Sequence, residues 1–318
     1  MSMARVSVIM NVRNGAPYLR ESLDSVLAQT FSDWELIVWD DCSTDGSAQI
    51  VAAYSDQRIR YFLSPELVPL GRARDLAIRQ ARGDWLAFLD QDDLWLPQKL
   101  EKQMALVDSE PGDRLGIVYG RTIAFDGTGR ERDFDRWHEF ETLPEGDIFV
   151  ELFTNSCFIA FSSALLRRSA YDEMGGIPEE CQLIPDYLLC LAVARRYHAR
   201  AVQEILCRYR VHPASMSHAS RRRILEETLW LFDRWSHAVN PRLLARRRRV
   251  FQTLLAFDEM RQAATAARGL TRLLAKGSVG YLFSQAFVGG FRAVRRRVQL
   301  PFWMRGDTQG QACRGDAA

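Results

Sequence analysis

Three carboxylates stand within four residues, at Asp90, Asp92 and Asp93, directly after the apolar run Trp85–Leu89. Like charges this close repel one another, so the cluster needs a reason. Two readings compete on the residues alone. In one, a solvated turn carries the charges and Asp93 caps a helix that begins near Pro97. In the other, the carboxylates hold a hard divalent cation such as Mg2+ or Mn2+, an ion usually bound together with substrate phosphates. Asp186, just after Pro185, is equally double-sided. A carboxylate there is favoured by the unsatisfied N–H groups and dipole of a helix start, and it also suits a base acting on a hydroxyl. His212, ahead of Pro213, fits either packing or metal ligation. Arg74 and Arg72 are within reach of a phosphate by type, although for Arg72 a solvated helix face is the simpler reading.

These groups depend on the elements that hold them. Val6–Met10, Glu35–Asp40, Ile59–Leu63 and Trp85–Leu89 read as strands. Between them fall a helix from Pro17 to near Gln29, a short one ending about Tyr54, and one over about Arg72–Ala81. Strands spaced by helices predict βαβ units, a parallel sheet and right-handed crossovers. Ligands of such sheets bind beyond the carboxyl ends of the strands. The polar clusters fall there: Asn11 after the first strand, Asp40 and Asp41 at the end of the second, Asp90–Asp93 after the fourth. Further on, Ile117–Tyr119, Ile123–Phe125 and Cys157–Phe161 are expected as strands, Asp126–Glu145 as a long loop, and Ala164–Met174 and Pro185–Tyr197 as helices. Past about residue 220 the spacing is helical, with many arginines and few strand signals.

Several ordered motifs resemble the family-2 nucleotide-sugar glycosyltransferases of GT-A fold, over about residues 5–215. Val6–Gly15 looks like that family's opening strand and nucleotide loop, and Ser25–Phe31 like the end of its first helix. Glu35–Gly46 is similar to its second strand and turn. Gly83–Asp93 resembles its metal-binding DxD segment, Gly175-Gly176 with Pro185-Asp186-Tyr187 its acceptor-side segment, and Tyr209–His212 the motif that closes the domain. The resemblance implies an α/β fold with a mostly parallel central sheet over residues 1–219, followed by a basic helical extension over 220–318. It implies that Asp40 contacts the nucleobase and Asn11 lines its pocket. Asp90 would lie near ribose or metal, and Asp92 would be the main metal ligand with Asp93 beside it. Asp186 would be the base. Arg210 and His212 would sit near the diphosphate or metal; Arg74, by its type alone, is a further candidate for binding the nucleotide sugar. The implied cofactor is Mn2+ or Mg2+, the donor a nucleotide-diphosphate sugar, foremost a UDP-sugar, and the acceptor a glycan or lipid-linked hydroxyl. Asn11 and Arg13 replace the family's usual Pro and Tyr, Cys42 a Gly, Asp75 and Ala77 an Asn and a Gly, and Pro185 a Glu. None of these removes an essential charge.

The chemistry is self-consistent. A departing nucleoside diphosphate develops negative charge that a divalent cation stabilises. An acidic edge alone would repel a diphosphate, so the site makes sense only with a metal. The attacking hydroxyl needs a base on the opposite face of the sugar, and a single displacement inverts the anomeric centre. A sugar-phosphate nucleotidyltransferase is the rival enzyme, but Asn11–Gly15 lacks the glycines its phosphate loop would need. A non-catalytic sugar- or nucleotide-binding protein is the rival from another class, and intact Asp90, Asp92 and Asp186 argue against it.

The 318 residues are 47% apolar and 26% charged, a globular composition that excludes disorder over most of the chain. Six cysteines show neither CxxC nor metal spacing, so reduced core thiols in a reducing cytoplasm are expected. No cleavable signal is expected at Val6–Met10, because the apolar run is short. Gly277–Phe291, an uncharged run of fifteen residues, falls short of the about 18–20 a membrane span needs. Charge is unevenly placed: residues 1–220 carry 23 Lys+Arg against 33 Asp+Glu, and residues 221–318 carry 19 against 7. Arg221–Arg223, Arg246–Arg249 and Arg295–Arg297 come with no nucleic-acid-binding motif, so no nucleic-acid partner is expected. Two readings stay open for this segment. One is peripheral attachment to an anionic membrane surface, the cytoplasmic face of the inner membrane. The other is helices that pack on the catalytic domain.

Overall fold

The computed structural model describes residues 4–110, 112–128, 130–133, 140–212 and 221–274. The first half alternates strand and helix: β1 (Val6–Val12), α1 (Leu19–Leu27), β2 (Trp34–Asp40), α2 (Ser47–Ala52), β3 (Ile59–Leu63), α3 (Leu70–Ile78) and β4 (Trp85–Phe88). Then come β5 (Leu94–Trp95), α4 (Lys99–Ser109), β6 (Leu115–Asp126), β7 (Glu131–Asp133), α5 (Phe149–Asn155), β8 (Leu165–Arg167), α6 (Arg168–Met174), α7 (Pro185–Ala194) and β9 (His198–Val211). Two further helices follow, α8 (Arg221–Arg234) and α9 (Pro241–Leu274).

Among the described residues the strands form one sheet in the order β3-β2-β1-β4-β8-β6-β9-β5, with β7 paired to β6. The first four strands are parallel. β8 runs antiparallel to both β4 and β6, β9 parallel to β6, and β5 antiparallel to β9. Val6, Val8, Met10 and Val12 point to one face, with Leu36, Val38, Ala87 and Leu89 beside them, sealed by Leu19, Leu23 and Val26 of α1. Ile9, Ile37 and Phe88 are buried on the other face, against which α3 packs. Burial on both faces is why these strands read as continuous apolar runs instead of alternating ones.

The mixed half departs from expectation. Cys157–Phe161 is irregular, ending in a 3-10 turn over Phe161–Ser163, and the strand lies at Leu165–Arg167. The helix expected from Ala164 therefore starts only at Arg168. Leu165 and Leu166 slot between β4 and β6, and an apolar pair this short carries no period that separates strand from helix. The loop expected at Asp126–Glu145 is preceded by a β6 that runs unbroken to Asp126 and folds back onto β7.

The chain divides into two compact units, Met1–Pro213 and Ala214–Ala318. In the second, α8 and α9 pack together, with the Phe232 and Phe251 rings edge to face at 5.1 Å. Arg247 is buried with its guanidinium over both rings, at 5.6 and 5.2 Å. Arg222 pairs with Glu226 and Glu259, and Arg248 with Asp233. Among the described residues no helix is long and apolar enough to cross a membrane. Gly277–Phe291, Arg295–Arg297, Cys313, His138 and His218 lie outside the described residues. Cys42, Cys157, Cys181, Cys190 and Cys207 are free thiols.

Candidate active site

The carboxyl ends of β2, β1 and β4 lie side by side and bring the polar clusters to one edge. On β2, Asp40 is buried. Its Oδ1 accepts from the Ser43 backbone N–H at 2.7 Å and its Oδ2 from the Tyr61 hydroxyl at 2.8 Å. On β1, Asn11 pairs in register with Trp39. Both polar atoms of its amide are buried without a hydrogen-bond partner, as is the Trp39 indole N–H.

Past β4 the chain turns through the acidic loop. Arg74, 5% exposed, reaches from α3 and donates from Nη2 to Asp90 Oδ1 at 3.0 Å. Its guanidinium rests on the Phe161 ring, 4.6 Å from the centroid. Asp93 faces inward at 1% exposure. It accepts from the Ser162 hydroxyl at 2.5 Å and the Arg210 backbone N–H at 2.9 Å. It does not cap the following helix, whose N-cap is Gln98 with no side-chain cap bond. Arg210 donates from Nε to the Asp92 carbonyl at 2.8 Å and from Nη2 to Glu21 at 3.0 Å. Its guanidinium lies between the rings of Tyr18 and Phe125, 4.6 Å from each centroid. In this geometry Arg210 braces the backbone of the acidic loop. His212 Nε2 lies 2.7 Å from Asp92 Oδ2, with the Tyr18 ring 4.9 Å from its own.

Asp186 stands in the first turn of α7, whose N-cap is Ile184. Burial raises its pKa, and Arg74 opposes that shift. Desolvation in the cleft pushes Asp90 up to about 6, against the pull of Arg74 and with help from Asp92 and Asp186. Burial likewise raises Asp93, with Asp92 and Asp90 adding to it. The fold thus links Arg74, Asp90, Asp92, Asp93, Asp186, Arg210 and His212 by direct bonds and mutual charge effects, with Asn11 and Asp40 on the adjoining strand ends.

Among the described residues no three His, Cys, Asp or Glu side chains are grouped to hold an ion unaided. Asp92 and His212 form a carboxylate–imidazole pair. One or two protein ligands completed by substrate phosphates is the usual arrangement for a hard cation at a phosphate site, so the residues fit such an ion.

Further polar residues, Gln91 inside the acidic motif and two serines outside the motifs, hold the loops together. Gln91 accepts from the Arg13 N–H at 2.8 Å and donates to the Arg13 carbonyl at 3.2 Å, which joins the acidic loop to the first loop. Ser22 Oγ lies 2.8 Å from the carbonyls of both Gln91 and Asp93. Ser162 also accepts, through its carbonyl, from the Trp95 indole at 2.7 Å. Ser22 and Ser162 are lone polar residues with no local pattern, so nothing in the sequence marks them, and the acidic motif around Gln91 does not mark its tie to Arg13.

A parallel nucleotide-binding half-sheet extended by mixed strands, with acidic groups at the strand ends, is the architecture of a GT-A glycosyltransferase. The chain belongs to glycosyl transferase family 2, whose model matches residues 7–175. It is 39% identical over 115 residues to the UDP-Glc:α-D-GlcNAc-diphosphoundecaprenol β-1,3-glucosyltransferase WfgD of Escherichia coli. That match covers 36% of this chain and 44% of the relative, so the chain spans less than half of that relative's length. The fold is also that of the mannosyltransferase PcManGT from Pyrobaculum calidifontis, solved with GDP-Man and Mn2+. There the TM-score is 0.59 at 20% identity, over 93% of this chain and 84% of that one. S. aureus TarS 1-349, solved with UDP-GlcNAc, gives a TM-score of 0.58 at 21% identity, over 72% of this chain and 65% of that one. At such identities the likeness defines the fold.

Proposed function

We propose that this glycosyltransferase moves a sugar from a nucleotide-diphosphate donor, foremost a UDP-sugar, to a hydroxyl of a glycan or lipid-linked acceptor, with inversion, in cell-surface polysaccharide or glycoconjugate synthesis. The observation that carries the reading is the double reach of Arg74. It bonds Asp90 at the end of β4 and acts electrostatically on Asp186 at the head of α7. Read as a donor-side cation and an acceptor-side carboxylate, Arg74 and Asp186 would lie close enough to serve a single displacement. Arg74 would stabilise the departing diphosphate, and Asp186 would take the acceptor's proton. Asp92 and His212 would hold Mn2+ or Mg2+, whose charge would neutralise the diphosphate oxygens. Asp93, held by Ser162 and the Arg210 N–H, would fix the loop on which Asp92 stands. Asn11 and Asp40 would line the nucleobase pocket. The UDP-Glc named for WfgD and the UDP-GlcNAc and GDP-Man bound in TarS and PcManGT support the donor class.

A screen of UDP-glucose, UDP-N-acetylglucosamine and GDP-mannose by thermal shift and hydrolysis, with and without Mn2+, tests this reading. At least one donor is expected to raise the Tm and to be hydrolysed slowly, both only with Mn2+. Silence from all three, with and without the metal, would overturn it.

The domain boundary we propose is residues 1–219 for the transferase and 220–318 for the basic extension, which would attach reversibly to the cytoplasmic face of an anionic membrane. Residues 221–260 hold nine arginines against five acidic residues, and 261–318 hold ten basic residues against two. Most of the positive excess therefore falls in the second stretch. Each clustered arginine adds up to about 1 kcal/mol near such a surface. The full chain should co-sediment with phosphatidylserine-containing vesicles at low salt and be released as salt rises. Failure to pellet at low salt would leave the helices as packing alone.

A further inference from the structure

Asp75 lies one residue past Arg74 on α3 and is 1% exposed. A buried carboxylate is tolerated only when its oxygens are satisfied. Oδ1 accepts from the Tyr171 hydroxyl at 2.6 Å and the Ile177 N–H at 2.8 Å. Oδ2 accepts from Arg79 Nε at 2.8 Å, with Arg72 Nη1 at 3.5 Å. Burial would raise its pKa, but these bonds outweigh burial and hold it below the ordinary carboxylate value.

Two of the four donors belong to the acceptor side: Tyr171 sits on α6, and Ile177 follows Gly175 and Gly176. Both glycines have positive φ, 79° and 96°. A Cβ on Gly176 would stand 2.7 Å from Asp75 Oδ1, so the close approach requires glycine. A second pin lies at the start of α3. Gly71 N–H donates to the Gln182 carbonyl at 3.1 Å, and a Cβ on Gly71 would collide with the Cys181 carbonyl oxygen. Four residues after Gln182 comes Asp186. The segment leading to the base is therefore fastened twice to the helix that presents Arg74 to the donor.

We infer that Asp75 is a positioning residue that couples the two halves of the reaction: through Ile177 and Tyr171 it sets Asp186 relative to Arg74, so that a bound donor meets a correctly placed base. The inference rests on the reading of Asp186 as the base. Misplacement of a reacting group by about 1 Å can cost on the order of 100-fold, while donor binding, which does not need Asp186, should survive. Water needs no such placement, so slow donor hydrolysis should persist as transfer falls.

The test compares the full-length wild type with Asp75→Ala, Asp75→Asn and Tyr171→Phe. Amide exchange across residues 175–186 is read beside UDP binding with Mn2+ and the ratio of donor hydrolysis to transfer. In Asp75→Ala, exchange in that segment should quicken at least tenfold while β1, β2 and β4 stay protected. UDP affinity should stay within about threefold, and the ratio should rise at least tenfold. Asp75→Asn keeps an acceptor for Ile177 and should restore most of the ratio. Tyr171→Phe, which removes one bond and no charge, should shift it the same way by less and keeps the test open if Asp75→Ala does not fold. An unchanged ratio in folded variants, or UDP binding lost together with transfer, would overturn the coupling. A wild type that binds no nucleotide would count against the donor reading instead, and the exchange data would still report on the pin.

Discussion

Asp186→Asn should lower sugar transfer by a factor on the order of 10²–10⁴, with nucleotide affinity nearly unchanged. The substitution keeps size and hydrogen-bonding capacity and removes only the ability to take a proton. Single-turnover transfer and calorimetric nucleotide binding separate the two effects. A collapse of nucleotide affinity would assign Asp186 to the donor site. The pH profile supplies a second signature. Burial raises the Asp186 pKa, and a base works deprotonated, so transfer should rise with pH along an acid limb displaced above the ordinary carboxylate range. That limb should vanish in the Asn variant. Stability moves the opposite way. The native state favours protonated Asp186, so its contribution is present at low pH and lost as pH rises through the raised value. At neutral pH the Asn variant should therefore be at least as stable as wild type. A drop in Tm with transfer intact would leave Asp186 as a feature of the helix start only.

The parallel half of the fold was legible because its physics is local. Strands buried on both faces print apolar runs such as Glu35–Asp40 and Trp85–Leu89, and the acidic loop follows directly where such sheets bind ligands. β8 was not legible, since Leu165 and Leu166 become a strand only by filling the gap between β4 and β6. The candidate site divides the same way. Asp90, Asp92, Asp93 and Asp186 announce themselves by type and spacing. Ser22, Gln91 and Ser162 matter through partners some 70 residues away in sequence, which no local pattern records. Asp75 was visible only as a departure from the family's pattern, and its partners Tyr171 and Ile177 lie about 100 residues further on. Arg210, which the motif placed near the diphosphate or metal, is set by the fold with its guanidinium on the Asp92 carbonyl and Glu21, partners that the motif itself does not name.

Asp92→Asn should reduce transfer by on the order of 10³-fold or more, because a bound cation at a leaving diphosphate supplies several kcal/mol of charge stabilisation and an amide is a far weaker ligand than a carboxylate. The fold should survive. Asp92 is held through its backbone carbonyl by Arg210, a bond that the substitution leaves in place. Its side chain meets His212 at 2.7 Å, and an amide can still bond there. Wild-type turnover in a folded Asp92→Asn enzyme would remove Asp92 from the metal site. Turnover restored by excess Mn2+ would instead show a weakened ligand still in use.

The most direct measurement is a calorimetric titration of the full chain with UDP and with GDP, each in the presence and absence of Mn2+, on wild type and Asp92→Asn. The account predicts that one of the two nucleotides binds wild type at least tenfold more tightly with Mn2+, and that Asp92→Asn abolishes this gain while keeping the metal-free affinity. Equal affinity with and without Mn2+ in wild type, or a gain that survives in Asp92→Asn, would contradict it.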